Sequence, residues 1–383
     1  MNKPKIRFKG FEGEWKRQSL GDTSASFSGG TPAVSVSDYY GGNIPFIRSG
    51  EIHENRTQLY ITQAGLNNSS AKIVEKGTIL YALYGATSGD VGFSKLRGAI
   101  NQAILAIEPA KKYIDRIFLV GFLQSYKHRI INELLQGGQG NLSGSLVKKI
   151  LLAFPSLPEQ RAIASYFTSL DAQIAASTSR LSSLKQIKAA SLLNMFPQKG
   201  ETVPRVRFKG FQGEWKEIKL GEIFSVEIGE FVIKTKQKNN ALYPVYNGGV
   251  SNTGFYDCYN QEGPKIIVSA RGANAGYVNY CTTDFWAGNS CYSIGAKNND
   301  ELKFFFYFLK RFQEIYMKNQ YSASIPSISK QQILRTNLMY PSLPEQRAIA
   351  SYFTALDAQI TLQRERLEKL KQIKAACLEK MFA

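Results

Sequence analysis

The sequence predicts a mixed α/β protein: two strand-rich α/β domains joined by two long helices that form an antiparallel coiled coil, with an internal pseudo-twofold repeat. Three observations predict it. Residues 7–16, RFKGFEGEWK, return as RFKGFQGEWK at 207–216. The segment PSLPEQRAIASYFT at 155–168 returns unchanged at 341–354, followed in both copies by LDAQI and then LKQIKAA. The intervening stretches, 23–154 and 223–340, are largely unlike each other. A short block, a variable domain and a long block are therefore laid down twice. The boundaries follow: a first domain at 1–154, a repeated helix and linker at 155–200, a second domain at 201–340, and the second copy of the helix at 341–383.

Each domain reads as strands first and a helix later. The runs GTILYALYG at 77–85 and AILAIEP at 103–109 have β character, as do KIIVSARG at 265–272 and CYSIGA at 291–296. Helical patterns follow at about 112–135 and 299–318. A faint signature links the two domains, GATSGDVG at 85–92 and GANAGYVN at 272–279. Its glycines Gly85 and Gly89, matched by Gly272 and Gly276, predict a tight turn with positive φ.

The long blocks read as helices. Pro155 and Pro158 stand at the start, and Glu159 in the first turn suits the helix dipole. Apolar positions fall at Ile163, Phe167, Leu170, Ile174, Leu181 and Leu184, repeated at Ile349, Phe353, Leu356, Ile360, Leu367 and Leu370. The spacing is that of a coiled-coil seam with one polar gap, at Ser177 and Gln363. Such a stripe also suits packing on a globular core, but two near-identical seams suit each other. About 36 helical residues make a rod of roughly 50 Å.

Composition narrows the function. The 43% apolar and 12% aromatic content is that of folded protein. The formal net charge of +18 calls for a polyanionic partner, most simply nucleic acid. All four segments share the positive excess, which favours two folded basic surfaces over a basic tail. No apolar run approaches the ~18 residues of a membrane span, and MNKPKIR lacks a secretion-signal core, so a cytoplasmic protein without membrane contact is expected. The four cysteines form no C-x-x-C pair, and with two histidines they leave few ligands for a metal; reduced, mostly buried thiols are expected. No phosphate-binding G-x-x-x-x-G-K-[ST], G-x-S-x-G elbow or H-E-x-x-H is present. Nor is there a Pro-Pro pair, which the Asn/Asp-Pro-Pro-aromatic loop of amino-methyltransferases requires. The chain reads as a recognition protein, not an enzyme.

With this order of parts, and with helices opening on P-S-L-P-E-Q-R-A-I-A, the whole chain resembles the specificity subunit of type I restriction-modification systems. The first domain's SGGTP…YYGGNIPFIRSGEI at 28–52 is similar to one family subtype, and the second domain's EIGEFVIKTKQKNNALYPVYNGG to another. The resemblance implies a non-catalytic subunit that binds double-stranded DNA, each target-recognition domain taking one half of a bipartite, asymmetric site. The paired helices would set the spacer and dock two methyltransferase subunits, which methylate adenine N6. Two restriction/translocase subunits would complete the endonuclease. It also implies that this chain binds no cofactor, with S-adenosylmethionine, ATP and magnesium on the partner subunits. A stand-alone bipartite DNA-binding regulator is the alternative. A single-strand or RNA binder is a weaker one, because no RRM or KH signature is present.

Base reading requires polar side chains at groove edges, with cations on phosphates. In the first domain the candidates are Arg48 and Ser49, the turn residues Tyr84, Thr87 and Ser88, and Gln136, Gln139 and Asn141 in a Gly- and amide-rich stretch. In the second they are Arg271 and Asn274, then Asn319, Tyr321 and Ser322, with Tyr246 and Asn247 beside a Gly-Gly pair. Lys234, Lys236 and Lys238 would put three cations on one face of an extended strand. Plain turns, a connector and a lysine-guarded strand edge are the competing readings. Trp15 and Trp215 are expected to pack, and His53 and His128 to be structural or on the surface.

Overall fold

The computed structural model describes residues 3–134, 142–318 and 326–382. The chain forms two compact units, Met1–Thr178 with Glu365–Ala383, and Ser179–Arg364.

In the first unit, strands Ser24–Ser28, Ile104–Pro109, Ile79–Ala82 and Val91–Phe93 lie in that order in an antiparallel sheet. A second sheet has the order Leu59–Ile61, Tyr40–Ile47, Gly98–Ile100, Lys72–Val74, and its middle pair is parallel. The β-branched and aliphatic runs foreseen from sequence are central here; Ile79, Leu80, Ile104 and Ala106 are buried. Helix Arg116–Leu134 follows, starting later than its apolar pattern because Asp115 caps it, accepting from the amides of Ile117 and Phe118.

The second unit repeats this topology on unrelated sequence. Strands Phe224–Ile228, Cys291–Ala296, Lys265–Ser269 and Val278–Cys281 form the first sheet. Gly254–Tyr256, Tyr243–Tyr246 and Trp286–Ala287 form the second, again with one parallel pair. It lacks a counterpart to Lys72–Val74 among the described residues. Helix Leu302–Lys318 follows.

A two-stranded ribbon closes each domain where the duplicated blocks meet it. Lys16–Ser19 pairs with Leu151–Phe154, and Lys216–Lys219 with Asn337–Tyr340. Trp15 and Trp215, at the base of these ribbons, are buried edge-on against Phe118 and Phe304, as packing residues should be.

The long blocks are helices Leu157–Asn194 and Leu343–Met381, with no glycine and only a proline in the first turn. Each contributes to both units. Within the first unit, Lys374 reaches Asp171 and the Tyr166 hydroxyl lies 3.4 Å from the Cys377 sulfur. Within the second, Lys188 reaches Asp357 and the Ser191 and Tyr352 hydroxyls are 2.8 Å apart. Number rises on one helix as it falls on the other, so the pairing is antiparallel. Along the seam Leu170, Leu181, Leu356, Ile360 and Leu367 are buried, and Ile174, Leu184 and Leu370 half-buried. Ser177 and Gln363, the polar gap, are buried as well. The seam departs from a simple coiled coil at its start: Ile163 and Phe167 join the first domain's core, and Ile349 and Phe353 the second's.

Among the described residues no helix is long and apolar enough to cross a membrane, and no cluster of His, Cys, Asp and Glu could hold a metal. Cys281 and Cys291 are buried free thiols, whereas Cys258 is exposed.

Candidate nucleic-acid interface

The repeated motif is a lock between block and domain. Arg7 holds Glu159 through two hydrogen bonds of 2.8 and 2.7 Å, and donates to the carbonyls of Gly13 and Glu12. Arg207 does the same with Glu345, at 2.7 and 2.8 Å, and with Gly213 and Gln212. Both glutamates are only 2% exposed. The next residue faces the domain. Gln160 donates to the carbonyls of Tyr113 and Pro155 and accepts from the amide of Asp115, at the start of the domain helix. Gln346 likewise donates to Pro341 and accepts from Glu301. The E-Q pair thus ties one block to the other and to the domain, a role the dipole argument for Glu159 missed.

Beside each lock lies a polar cleft built from the duplicated residues. One, of about 610 Å³, includes Arg7, Phe11, Pro155 and Glu159; the other, of about 500 Å³, includes Arg207, Phe211, Pro341 and Glu345.

The glycine turn is built alike in both units, bond for bond. The amides of Ser88, Gly89 and Asp90 donate to the carbonyls of Gly85, Ala82 and Thr87. Those of Ala275, Gly276 and Tyr277 donate to Gly272, Ser269 and Asn274. Gly85 and Gly272 have φ of 79° and 86°, Gly89 and Gly276 of 80° and 89°, where a side chain would be strained. On this common frame Tyr84 stands where Arg271 does, and Thr87 where Asn274 does. The frame is fixed and its side chains differ.

Other candidates gather around the turn. In the first unit, the turn Ser49–Glu51 packs against Gly85–Thr87. Gln136, Gln139 and Asn141 lie outside the described residues; Leu142, which follows them, donates its amide to Leu83. In the second, the Ser269 hydroxyl donates to Gly249, bringing the Tyr246–Gly249 segment to the Arg271 turn. Asn319, Tyr321 and Ser322 also lie outside the described residues, and beyond them Pro326 accepts from Gly272 while Ile328 donates to Ala270.

Side chains at these positions are not equally free. Arg271 is exposed and has no side-chain partner among the described residues; Tyr84, Thr87, Ser49 and Asn274 are half-buried. Arg48 is tied to Glu51 and Gln58. Burial pushes the Glu51 carboxyl up, but hydrogen bonds from Arg48 and two backbone amides outweigh it and hold the group below its usual range.

Some expectations need correction. Ser88 is buried and its hydroxyl donates to Gly85, so it closes the turn instead of facing outward. Tyr246 packs edge-on against Phe285, and burial pushes its hydroxyl up to about 12. Asn247 accepts from the amide of Ser290 and so braces the backbone. Lys234–Lys236 is a turn of 3₁₀ helix, not a strand, so alternate residues there do not share a face. The chain leaves the sheet at Gly229, where a Cβ would come within 2.1 Å of the Ala287 carbonyl oxygen. Lys238 is paired with Asp257.

Two domains of one fold, with different side chains on one turn and duplicated blocks locking each, define a two-headed recognition protein. The family described as type I restriction modification DNA specificity domain matches residues 12–186 and again 212–372. A type I restriction enzyme specificity subunit of Methanocaldococcus jannaschii, MjaIX, is 23% identical over 96% of this chain and 92% of its own. The crystal structure of a type I system S subunit from M. genitalium superposes with a TM-score of 0.70 at 21% identity, covering 100% of this chain and 99% of that one. The chain belongs to the type I restriction-modification DNA specificity family, and sequence recognition of DNA by its two domains is its function.

Proposed function

We propose that this chain is the non-catalytic subunit that gives an adenine-N6 methyltransferase, and the endonuclease built on it, their bipartite asymmetric target. Each unit reads one half-site, and the antiparallel helices set the unread spacer. Two methyltransferase subunits dock on the two copies of the block. Two restriction/translocase subunits join them, and S-adenosylmethionine, ATP and magnesium belong to those partners. The observation that carries this reading is the shared turn holding Tyr84 and Thr87 in one unit and Arg271 and Asn274 in the other. Like frames with unlike side chains suit two different half-sites read in the same manner. The two clefts made of the same residues support two equal docking places. A stand-alone regulator is disfavoured, because the specificity-domain family matches both halves of the chain.

The test is adenine-N6 methylation mapping of plasmid DNA from cells expressing this chain with a type I methyltransferase subunit, against each alone. A gapped two-part motif, methylated only when both are present, is expected. Absence of such a motif with a partner shown to assemble would overturn the reading.

A further inference from the structure

The loop that follows strand Ser24–Ser28, with its counterpart after Phe224–Ile228, is a second matched feature. Gly29 and Gly229 leave the sheet where a Cβ would strike backbone, the carbonyl oxygens of Ile100 and Ala287. The amides of Gly30 and Glu230 donate to those same carbonyls. Pro32 and Val232 are the buried anchors, flanked by exposed residues on both sides. The amide of Val36 then donates to Ala33, and that of Lys236 to Ile233. A tyrosine hydroxyl holds each loop: Tyr40 donates to the Pro32 carbonyl, and Tyr256 to that of Ile233.

Both loops lie beside the glycine turn. Thr31 is bonded to Gln102, whose neighbour Ala103 accepts from Leu83 at the turn. In the second unit Glu230 bridges to Gly288, near Ser290, which accepts from Ala270.

What the loops present is different. In the first unit it is neutral, Thr-Pro-Ala-Val-Ser-Val, with Val34 80% exposed. In the second it is Phe-Val-Ile-Lys-Thr-Lys, with Phe231 72% exposed and both lysines in solvent. A phenylalanine so exposed adds nothing to the core, and a pinned backbone that presents it beside two cations suits an apolar contact on a polyanion.

We propose that this loop is a further reading element in each unit, resting on the function proposed above. Val34 and Phe231 touch base edges in their respective half-sites, as apolar side chains do at thymine methyl groups. Lys234 and Lys236 contact phosphates, so the second half-site is held more electrostatically at this loop than the first.

The experiment is methylation mapping of the full chain with its methyltransferase subunit, for the parent, Val34→Ser and Phe231→Ala. Each variant is expected to relax base preference at one or two positions in one half of the motif, the two variants in opposite halves. Lys234→Ala combined with Lys236→Ala is expected to keep the motif while the slope of log affinity against log salt falls by about 2. If the parent keeps its gapped motif and both apolar variants reproduce it in full, the loop assignment fails and the recognition reading survives. If the parent itself yields no gapped motif, both fail.

Discussion

The ring of Phe382 stacks on that of Phe167, with centroids 5.7 Å apart and planes inclined at 27°. Phe196 stacks on Phe353 in the same way, at 5.9 Å and 14°. Phe382 also meets Phe118 and Phe122, and Phe196 meets Phe304 and Phe308. The residue just beyond one long helix therefore plugs the core of a domain whose own chain leads into the other helix. Phe382→Ala is expected to cost about 3–5 kcal/mol, a large aromatic lost from a packed core. The loss should appear in the first unit, and that from Phe196→Ala in the second. Hydrogen exchange resolved along the chain checks which unit loosens.

The Arg7–Glu159 lock makes a separate prediction. Removing Arg7 leaves a carboxylate that is 2% exposed without its cation. Arg7→Ala should cost about 3 kcal/mol, while Arg7→Met with Glu159→Met should recover much of that loss. Urea unfolding of Arg7→Met, Glu159→Met and the double variant measures the coupling; a double-variant loss equal to the sum of the two single losses would contradict a buried ion pair.

Lys310 gives a pH dependence with a definite sign. Its ammonium lies 3.9 Å from the Tyr277 ring centre and donates to the Val278 carbonyl. Burial, aided by the nearby charge of Lys188 and partly offset by Asp357, lowers its pKa to about 8. Above that value the folded chain releases a proton that the unfolded chain keeps, so stability rises from about pH 8 to 9.5 and is flat below. Lys310→Gln should remove the slope, which thermal unfolding at pH 7, 8.5 and 9.5 would show.

At the glycine turn, Arg271→Ala is expected to relax one position of one half-site if the proposed reading holds, a discrimination of about 1–3 kcal/mol per bidentate contact. Methylation mapping checks it, and an intact motif would remove Arg271 from the reading set.

The spacer prediction concerns the helices where they pass between units. Seven residues inserted after Thr178, and seven after Arg364, preserve the heptad and lengthen the pair by roughly 10 Å. The preferred spacer should grow by about three base pairs, and mapping that returned the original spacer would show that the helices do not set it.

The duplication and the seam were legible in the sequence because repetition and heptad spacing are local signals. The strand runs around Ile79, Ile104, Ile266 and Ile294 were legible because aliphatic density marks buried strands. The roles of Glu159 and Gln160 were not, since their partners Arg7 and Asp115 are far away in the chain. Lys234 and Lys236 misled because alternation has meaning only where the backbone is extended, and the close approach at Gly229 turns it out of the sheet. Ser88 looked like a polar reader, yet a hydroxyl in a tight turn finds a backbone carbonyl before it finds solvent. The kinship of the two domains was nearly invisible, because a common topology constrains glycines and burial more than it constrains letters.

The amide of Ile6 donates to the carbonyl of Lys380 at 3.1 Å, and that of Val206 donates to Asn194 at 2.9 Å. These are the same bond at the same place in the repeat, but only the second pair is joined by continuous chain, through residues 197–205. The two joints are therefore equivalent in their local bonding, whether or not chain runs through them. A circular permutant that begins at Val206 and runs from Phe382 into Ile6 through a copy of 197–205 should fold to the same structure, with the order of the two half-sites along the DNA unchanged.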